Sequence, residues 1–157
     1  MKKFRILALV GALFLVLSAC GNREPVPETT EEAQMDGVTI TYYHGNERGS
    51  QLVEETTLIP KLTAQALLDL LTEQKVIPEN TTVRNFKLTG GIITLDLSRE
   101  FEEGVRDLSR GKEEVVMGSL VNTFLKTYEA EGLDLTTEGR ILKTRYHIYD
   151  SLLTVYH

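Results

Sequence analysis

One cysteine, Cys20, and no tryptophan occur among the 157 residues, and only 4 residues are proline. A lone thiol excludes an intrachain disulfide and a cysteine-based metal site, so neither kind of staple holds this chain together. Positive charge is also scarce: 17 Lys and Arg stand against 23 Asp and Glu, a formal charge of −6. Lys2, Lys3 and Arg5 are among those cations, so beyond Cys20 the balance is 14 against 23, or −9. A surface of that sign repels nucleic acid, and no Lys/Arg stripe interleaved with aromatics offsets it, so no nucleic-acid partner is expected. Catalytic signatures are missing too: there is no Gly-x-Ser-x-Gly elbow, no His-Glu-x-x-His helix, no phosphate-binding glycine loop and no Asp-rich calcium loop. No cofactor or metal is implied, and the chain is not expected to be an enzyme. The long apolar runs reduce to one, Ile6 to Leu17, interrupted by Gly11 alone.

That run follows the basic start Met1 to Arg5, which is the pattern of a secretory signal and is too short for a full membrane span. Leu17-Ser18-Ala19-Cys20-Gly21 then resembles the lipobox of bacterial lipoproteins: Leu three before the Cys, small residues next to it, Gly after. The resemblance implies that residues 1–19 are a lipoprotein signal peptide and that the Cys20 thiol is the lipidation site. Two acyl chains suffice for stable anchoring where one would be marginal. The lipid bilayer is then a partner through acylated Cys20, with the mature protein on the extracytoplasmic face of the cell membrane. Residues 20–36 read as a tether. They hold Pro25 and Pro27 with Glu24, Glu28, Glu31, Glu32 and Asp36, and too little apolar surface to offset the entropy of ordering them. Their expected function is reach, about 20–25 Å root-mean-square for a flexible chain of this length.

Residues 37–157 carry the folding pattern of one small domain. Val38 to Tyr43 alternates with β-branched and aromatic residues and reads as a strand with Val38, Ile40 and Tyr42 inward. His44 to Ser50 reads as a polar loop, Leu52 to Ile59 as a second strand ended by Pro60. Thr63 is the expected N-cap of a helix from Ala64 to about Gln74, with Ala64, Leu67, Leu68, Leu70 and Leu71 on one face. The clearest hairpin follows: Thr82 to Leu88, a Gly90-Gly91 turn, then Ile93, Leu95 and Leu97 alternating with Thr94, Asp96 and Ser98. Ser98 reads as the N-cap of whatever comes next, and Arg99 to Lys112 as a charged turn or loop around Phe101, Val105 and Leu108. A second helix is expected from about Lys112 to Glu131, with Val116, Met117, Leu120, Val121, Phe124, Leu125 and Tyr128 as its apolar stripe. Gly118, Ser119, Asn122, Lys126 and Glu129 lie opposite, and Gly132 ends it. Leu133 to Thr137 and Ile141 to Thr144 flank Glu138-Gly139-Arg140 as another hairpin, and Tyr146 to His157 reads as an edge strand or closing segment. The order ββαββαβ predicts an α+β fold: a mixed sheet of about four to six strands with two helices packed on one face.

Candidate chemical residues are few. The acidic neighbours Glu54-Glu55, Glu102-Glu103 and Glu113-Glu114 diverge on strands and helices alike, so they read as solvated surface. His44 reads as a solvated loop residue. Asp96, on the polar face of the central strand, is the least ordinary carboxylate, and a hydrogen bond to the turn after Ser98 or to helix-terminus N–H groups is its expected use. Tyr42, Tyr43, Tyr146 and Tyr149 could contribute to a ligand surface, although alternation places Tyr42 and Tyr43 on opposite faces.

Order and motifs together resemble the GerMN-type domain of sporulation and spore-germination lipoproteins. The matching stretches are Val38 to Tyr43, Gly49 to Glu55, Ile77 to Val83, Gly91 to Ser98 with Phe101, Ser119 to Leu125, and Glu138 to Thr144 with His147. Nearly everything beyond the tether is covered. The resemblance implies a non-catalytic, extracytoplasmic protein-interaction module of a cell-envelope, sporulation or germination assembly, with an envelope protein as partner and homo-oligomerisation left open. It brings no set of functional residues with it. The alternative reading is a ligand-binding lipoprotein for cell-wall glycan, and a hydrolase ranks third.

Overall fold

The computed structural model describes residues 37–157. The expected signal peptide, Cys20 and the expected tether through residue 36 therefore lie outside the described residues. Ten elements follow one another: β1 (Val38–Gly45), β2 (Leu52–Ile59), α1 (Ala64–Glu73), β3 (Val83–Thr89), β4 (Ile92–Leu97), α2 (Arg99–Val105), α3 (Arg110–Tyr128), β5 (Gly132–Thr137), β6 (Arg140–Lys143) and β7 (Ile148–Tyr149). The fold is α+β. β3 to β7 form a five-stranded mixed sheet in sequential order, antiparallel except where β4 pairs with β5 in parallel. Parallel neighbours need a crossover, and α2 and α3 supply it. β1 and β2 make a separate two-stranded antiparallel sheet.

The central hairpin forms as its sequence dictates. Gly90 and Gly91 take φ of +57° and +78° in the turn, and Ile93, Leu95 and Leu97 are fully buried at period two. Thr63 caps α1 through its hydroxyl, which accepts from Ala66 N–H at 3.0 Å. The five expected residues form the buried face of α1. Gln65 on the same helix reaches over to β3, where its Oε1 accepts from the Val83 N–H at 2.8 Å. Phe86 of β3 packs against Phe124 and Tyr128 of α3, with ring centroids 6.4 and 4.7 Å away.

Several expectations need correction. Three helices lie among the described residues, because Arg99 to Val105, expected as loop, closes a two-turn helix that buries Phe101 and Val105. Gly104 hid it: glycine is a poor helix former, but here an added Cβ would lie 2.3 Å from the Pro78 ring, so packing demands it. Ser98 occupies the N-cap position of α2 without capping it. Its hydroxyl accepts instead from Thr82 N–H at 3.0 Å, tying the approach to β3 onto the end of β4. α3 ends at Glu129, which adopts the left-handed conformation itself, while Gly132 is the first residue of β5 and lets Leu152 pack onto the backbone. Val38 is 40% exposed, so the inward set of β1 is Ile40 and Tyr42.

The largest difference concerns α3. Met117, Leu120, Val121, Phe124 and Leu125 are buried as expected, but so are Gly118, Ser119, Asn122 and Thr123. The first part of the supposed solvent face is covered, whereas Lys126 and Glu129 further on are exposed as expected. An added Cβ on Gly118 would sit 2.7 Å from Leu52 and 3.2 Å from Tyr156, so this glycine lets β2 and the C-terminal segment close on the helix. Thr123 Oγ1 accepts from the Tyr43 N–H of β1 at 2.9 Å. Asn122 acts as a piece of backbone: its Nδ2 donates to Tyr156 C=O at 2.9 Å, and its Oδ1 accepts from Tyr156 N–H at 2.8 Å. Buried polar groups on a helix are tolerated when they find such partners, as Asn122 and Thr123 do; the Ser119 hydroxyl is buried without one.

Candidate functional site

Two carboxylates gather converging donors. Asp96 of β4 accepts from Thr136 Oγ1 and from Gly139 N–H, both at 2.8 Å, and from Arg84 Nε at 3.2 Å. Its partners span β3, β5 and the β5–β6 turn, where Glu138 and Gly139 both have positive φ. Arg84 also reaches Glu138, whose carboxylate accepts in turn from Arg99 N–H at the start of α2. The expected partners of Asp96 were thus close but not right: the helix-start donor goes to Glu138. Burial raises the Asp96 carboxyl, but the hydrogen bonds from Gly139, Thr136 and Arg84, with the Arg84 charge, outweigh it and hold the group below its ordinary value.

Glu113 contradicts the surface reading of the Glu113-Glu114 pair. Its side chain is wholly buried in the first turn of α3, and three donors converge on Oε1: Thr144 Oγ1 at 2.6 Å, Tyr149 OH at 2.7 Å and His147 Nδ1 at 2.9 Å. The other oxygen, Oε2, is buried with no hydrogen-bond partner. Burial pushes this carboxyl up; the bonds from Thr144, Tyr149 and His147 and the His147 charge together bring it below the usual carboxylate range. Tyr149 is driven upward by burial first and by its bond to Glu113 second. Thr144 Oγ1 also accepts from the N–H groups of Tyr146 and His147, so a single carboxylate orders the whole loop that leads into β7. Glu114, one residue on, is about half exposed and paired with Arg110 at 3.0 Å, as a surface residue should be.

The other acidic neighbours divide unevenly. Glu102 is largely buried beside Thr137, Arg106 and Arg140, at 3.3, 3.5 and 3.8 Å. Glu54 and Glu55 are exposed on β2 and accept from Tyr43 OH at 3.1 Å and Tyr42 OH at 2.6 Å across the hairpin. The bond to Glu55 raises the Tyr42 hydroxyl to about 12, with burial and the Glu55 charge adding to it. His44 belongs to β1, not to a loop, and its Nε2 lies 3.3 Å from Glu55. The four tyrosines are dispersed: Tyr42 and Tyr149 are buried, Tyr43 is partly covered, and Tyr146 is 45% exposed with Arg145 5.6 Å over its ring. They form no common platform. Among the described residues, no group of three or more His, Cys, Asp or Glu could hold a metal ion.

Glu113 stands behind an open groove of about 890 Å³. Its walls come from the β1–β2 loop (Gly49, Ser50, Gln51), the first turns of α3 (Gly111, Glu114, Val115) and the C-terminal segment (His147, Tyr149, Tyr156, His157). Sequence reasoning missed it because its three walls lie far apart in the chain. His147, the last residue of the closing motif, was the available signal. Among the described residues, no helix is long and apolar enough to cross a membrane.

A family model described as Germane: Sporulation and spore germination matches residues 24–143. Among solved structures, the first GerMN domain of the sporulation protein GerM from Bacillus subtilis is similar at 20% identity and TM-score 0.60, over 75% of this chain and 96% of that one. The tandem GerMN domains of the same protein give 17% identity and TM-score 0.53, over 76% of this chain and 44% of that one. A Clostridium perfringens protein described as a candidate lipoprotein gives 14% and 0.50, over 75% and 87%. At such identities these structures establish the fold. No curated protein matches.

Proposed function

The chain belongs to the Germane family of sporulation and spore germination, and from that premise we propose that it is a membrane-anchored extracytoplasmic lipoprotein acting as a non-catalytic protein-interaction module. The observation that carries this reading is the use made of its converging carboxylates. Asp96 and Glu113 each accept three bonds from segments distant in the chain, and those bonds tie both carboxylates into the fold. The lipobox ending at Cys20 and the likeness to a candidate lipoprotein support the anchor. The acidic balance beyond Cys20 favours a protein partner over nucleic acid or bare anionic lipid. Crosslinking on intact membranes followed by co-purification tests it. The full chain should capture an envelope protein, and Cys20→Ala should lose that capture for want of local concentration. Capture of no protein by the full chain would overturn the reading. The groove favours a second reading, a binder of cell-wall glycan, because Tyr149 and Tyr156 line it. Saturable binding of a glycan oligomer to the full chain, with no protein captured, would establish that alternative.

A further inference from the structure

We propose that the groove between the β1–β2 loop, the start of α3 and the C-terminal segment seats a lysine- or arginine-bearing peptide segment of the partner protein. The inference rests on the interaction-module reading and names the chemistry of that partner. Its volume, about 890 Å³, is of the size that encloses a ligand rather than a single water. No Lys or Arg lines it, whereas Glu114 stands at its rim and the Glu113 carboxylate is buried directly behind His147 and Tyr149.

The negative potential of that pair reaches into the groove. Tyr156, on the wall, has its hydroxyl pushed up by burial first and then by the charges of Glu113 and Glu114. Glu113 carries a charge with an unpartnered oxygen in a desolvated site, where field lines are poorly screened. His147 and His157 are the basic side chains in the lining. Arg110 pairs with Glu114, but that pair is solvent-exposed on both sides, and such pairs contribute little and exchange readily. The tyrosine rings add faces for an ammonium or guanidinium group, and Gln51 and Ser50 offer polar contacts to a peptide backbone.

The test is a titration of the full chain in detergent micelles with an acetylated, amidated Gly-Lys-Lys-Gly peptide, followed by amide chemical shifts. Saturable shifts are expected at Ser50 to Leu52, Gly111 to Val115 and His147 to Tyr149, weakening as salt rises. The same peptide with both lysines acetylated should not bind. Glu114→Lys should weaken binding at least about tenfold through like-charge repulsion. Gly111→Phe gives a second variant: Gly111 lines the groove and a Cβ there meets nothing within 4 Å, so a bulky side chain can be introduced at the wall, and binding should be lost. Equal binding of the acetylated peptide, shifts spread over the acidic surface, or unchanged affinity in both variants would overturn the proposal. So would equal shifts from a chitin oligomer, which would reassign the groove to glycan. Membrane crosslinking separates the two readings. A partner captured undiminished by Glu114→Lys and Gly111→Phe sinks the groove assignment alone, whereas no partner for the wild type sinks the module reading.

Discussion

Replacing Glu113 by Gln should cost about 2–5 kcal/mol, a large share of the roughly 5–15 kcal/mol that holds a domain folded. The amide oxygen can still accept from Thr144, Tyr149 and His147, but as a neutral acceptor it loses the charge assistance of all three bonds. Charge-assisted bonds are roughly twice as strong as neutral ones, so this loss alone is about 1–2 kcal/mol. The new NH₂ falls where Oε2 has no partner, adding an unsatisfied buried donor at about 1–3 kcal/mol. In urea, with a slope of about 2 kcal/mol/M, the midpoint should fall by roughly 1–2.5 M. Glu114→Gln, one residue away and half exposed, should stay within about 0.5 kcal/mol. The pH dependence adds an independent check. Because the folded carboxyl lies below its ordinary value, its contribution is complete above the unfolded pKa of about 4.3 and is lost as pH falls through the lower folded value. Gln cannot be protonated in this range, so the gap between wild type and variant should narrow below about pH 4. Equal midpoints for the two neighbouring variants, or a gap unchanged from neutral to strongly acidic pH, would refute the role given to Glu113.

Leu120→Asp places an unpaired charge in the fully buried core of α3 and should cost several kcal/mol, read as a lowered denaturant midpoint or failure to accumulate. Gly104→Ala should destabilise by about 1–3 kcal/mol by driving a methyl into Pro78, although alanine is the better helix former; a stabilised variant would mean the α2 packing is wrong. Cys20→Ala should abolish fatty-acid labelling and lipoprotein-specific cleavage, measured by metabolic labelling and by the size of the mature chain.

Local signals carried the fold as far as local signals reach. The Gly90-Gly91 hairpin, the Thr63 cap and the leucine face of α1 are each decided within a dozen residues, and each formed as read. The failures have one cause, which is that a residue's partner lies elsewhere. Gly104 argued against a helix until Pro78 came to rest on it. Gly118, Ser119 and Asn122 are polar or small, so a period of 3.6 assigned them to solvent. Burial came from Leu52 and Tyr156, at opposite ends of the domain. Glu113 is the sharpest case. Beside Glu114 and a short run of lysine and glycine it has every mark of a solvated first-turn acid, and only the return of Thr144, His147 and Tyr149, more than thirty residues on, makes it a core residue.

Those same long-range contacts explain why the groove is a defined feature rather than a loose gap. The C-terminal segment closes on α3 at two points: Glu113 fixes residues 144–149 at one end, and Asn122 grips the backbone of Tyr156 at the other. Leu153 bridges to Leu133 between them, so the wall is held along its length. The opposite wall is set by Gly118, because only a residue without a side chain lets Leu52 of β2 reach the helix. A carboxylate buried for the sake of the fold thus leaves its charge immediately behind a surface made of tyrosine, histidine and glycine. Structure and recognition are coupled at that residue, since a change that neutralises Glu113 loosens the wall and removes the charge at once. The exposed Glu114 and the empty space beside Gly111 are where the two can be separated, because neither takes part in holding the wall.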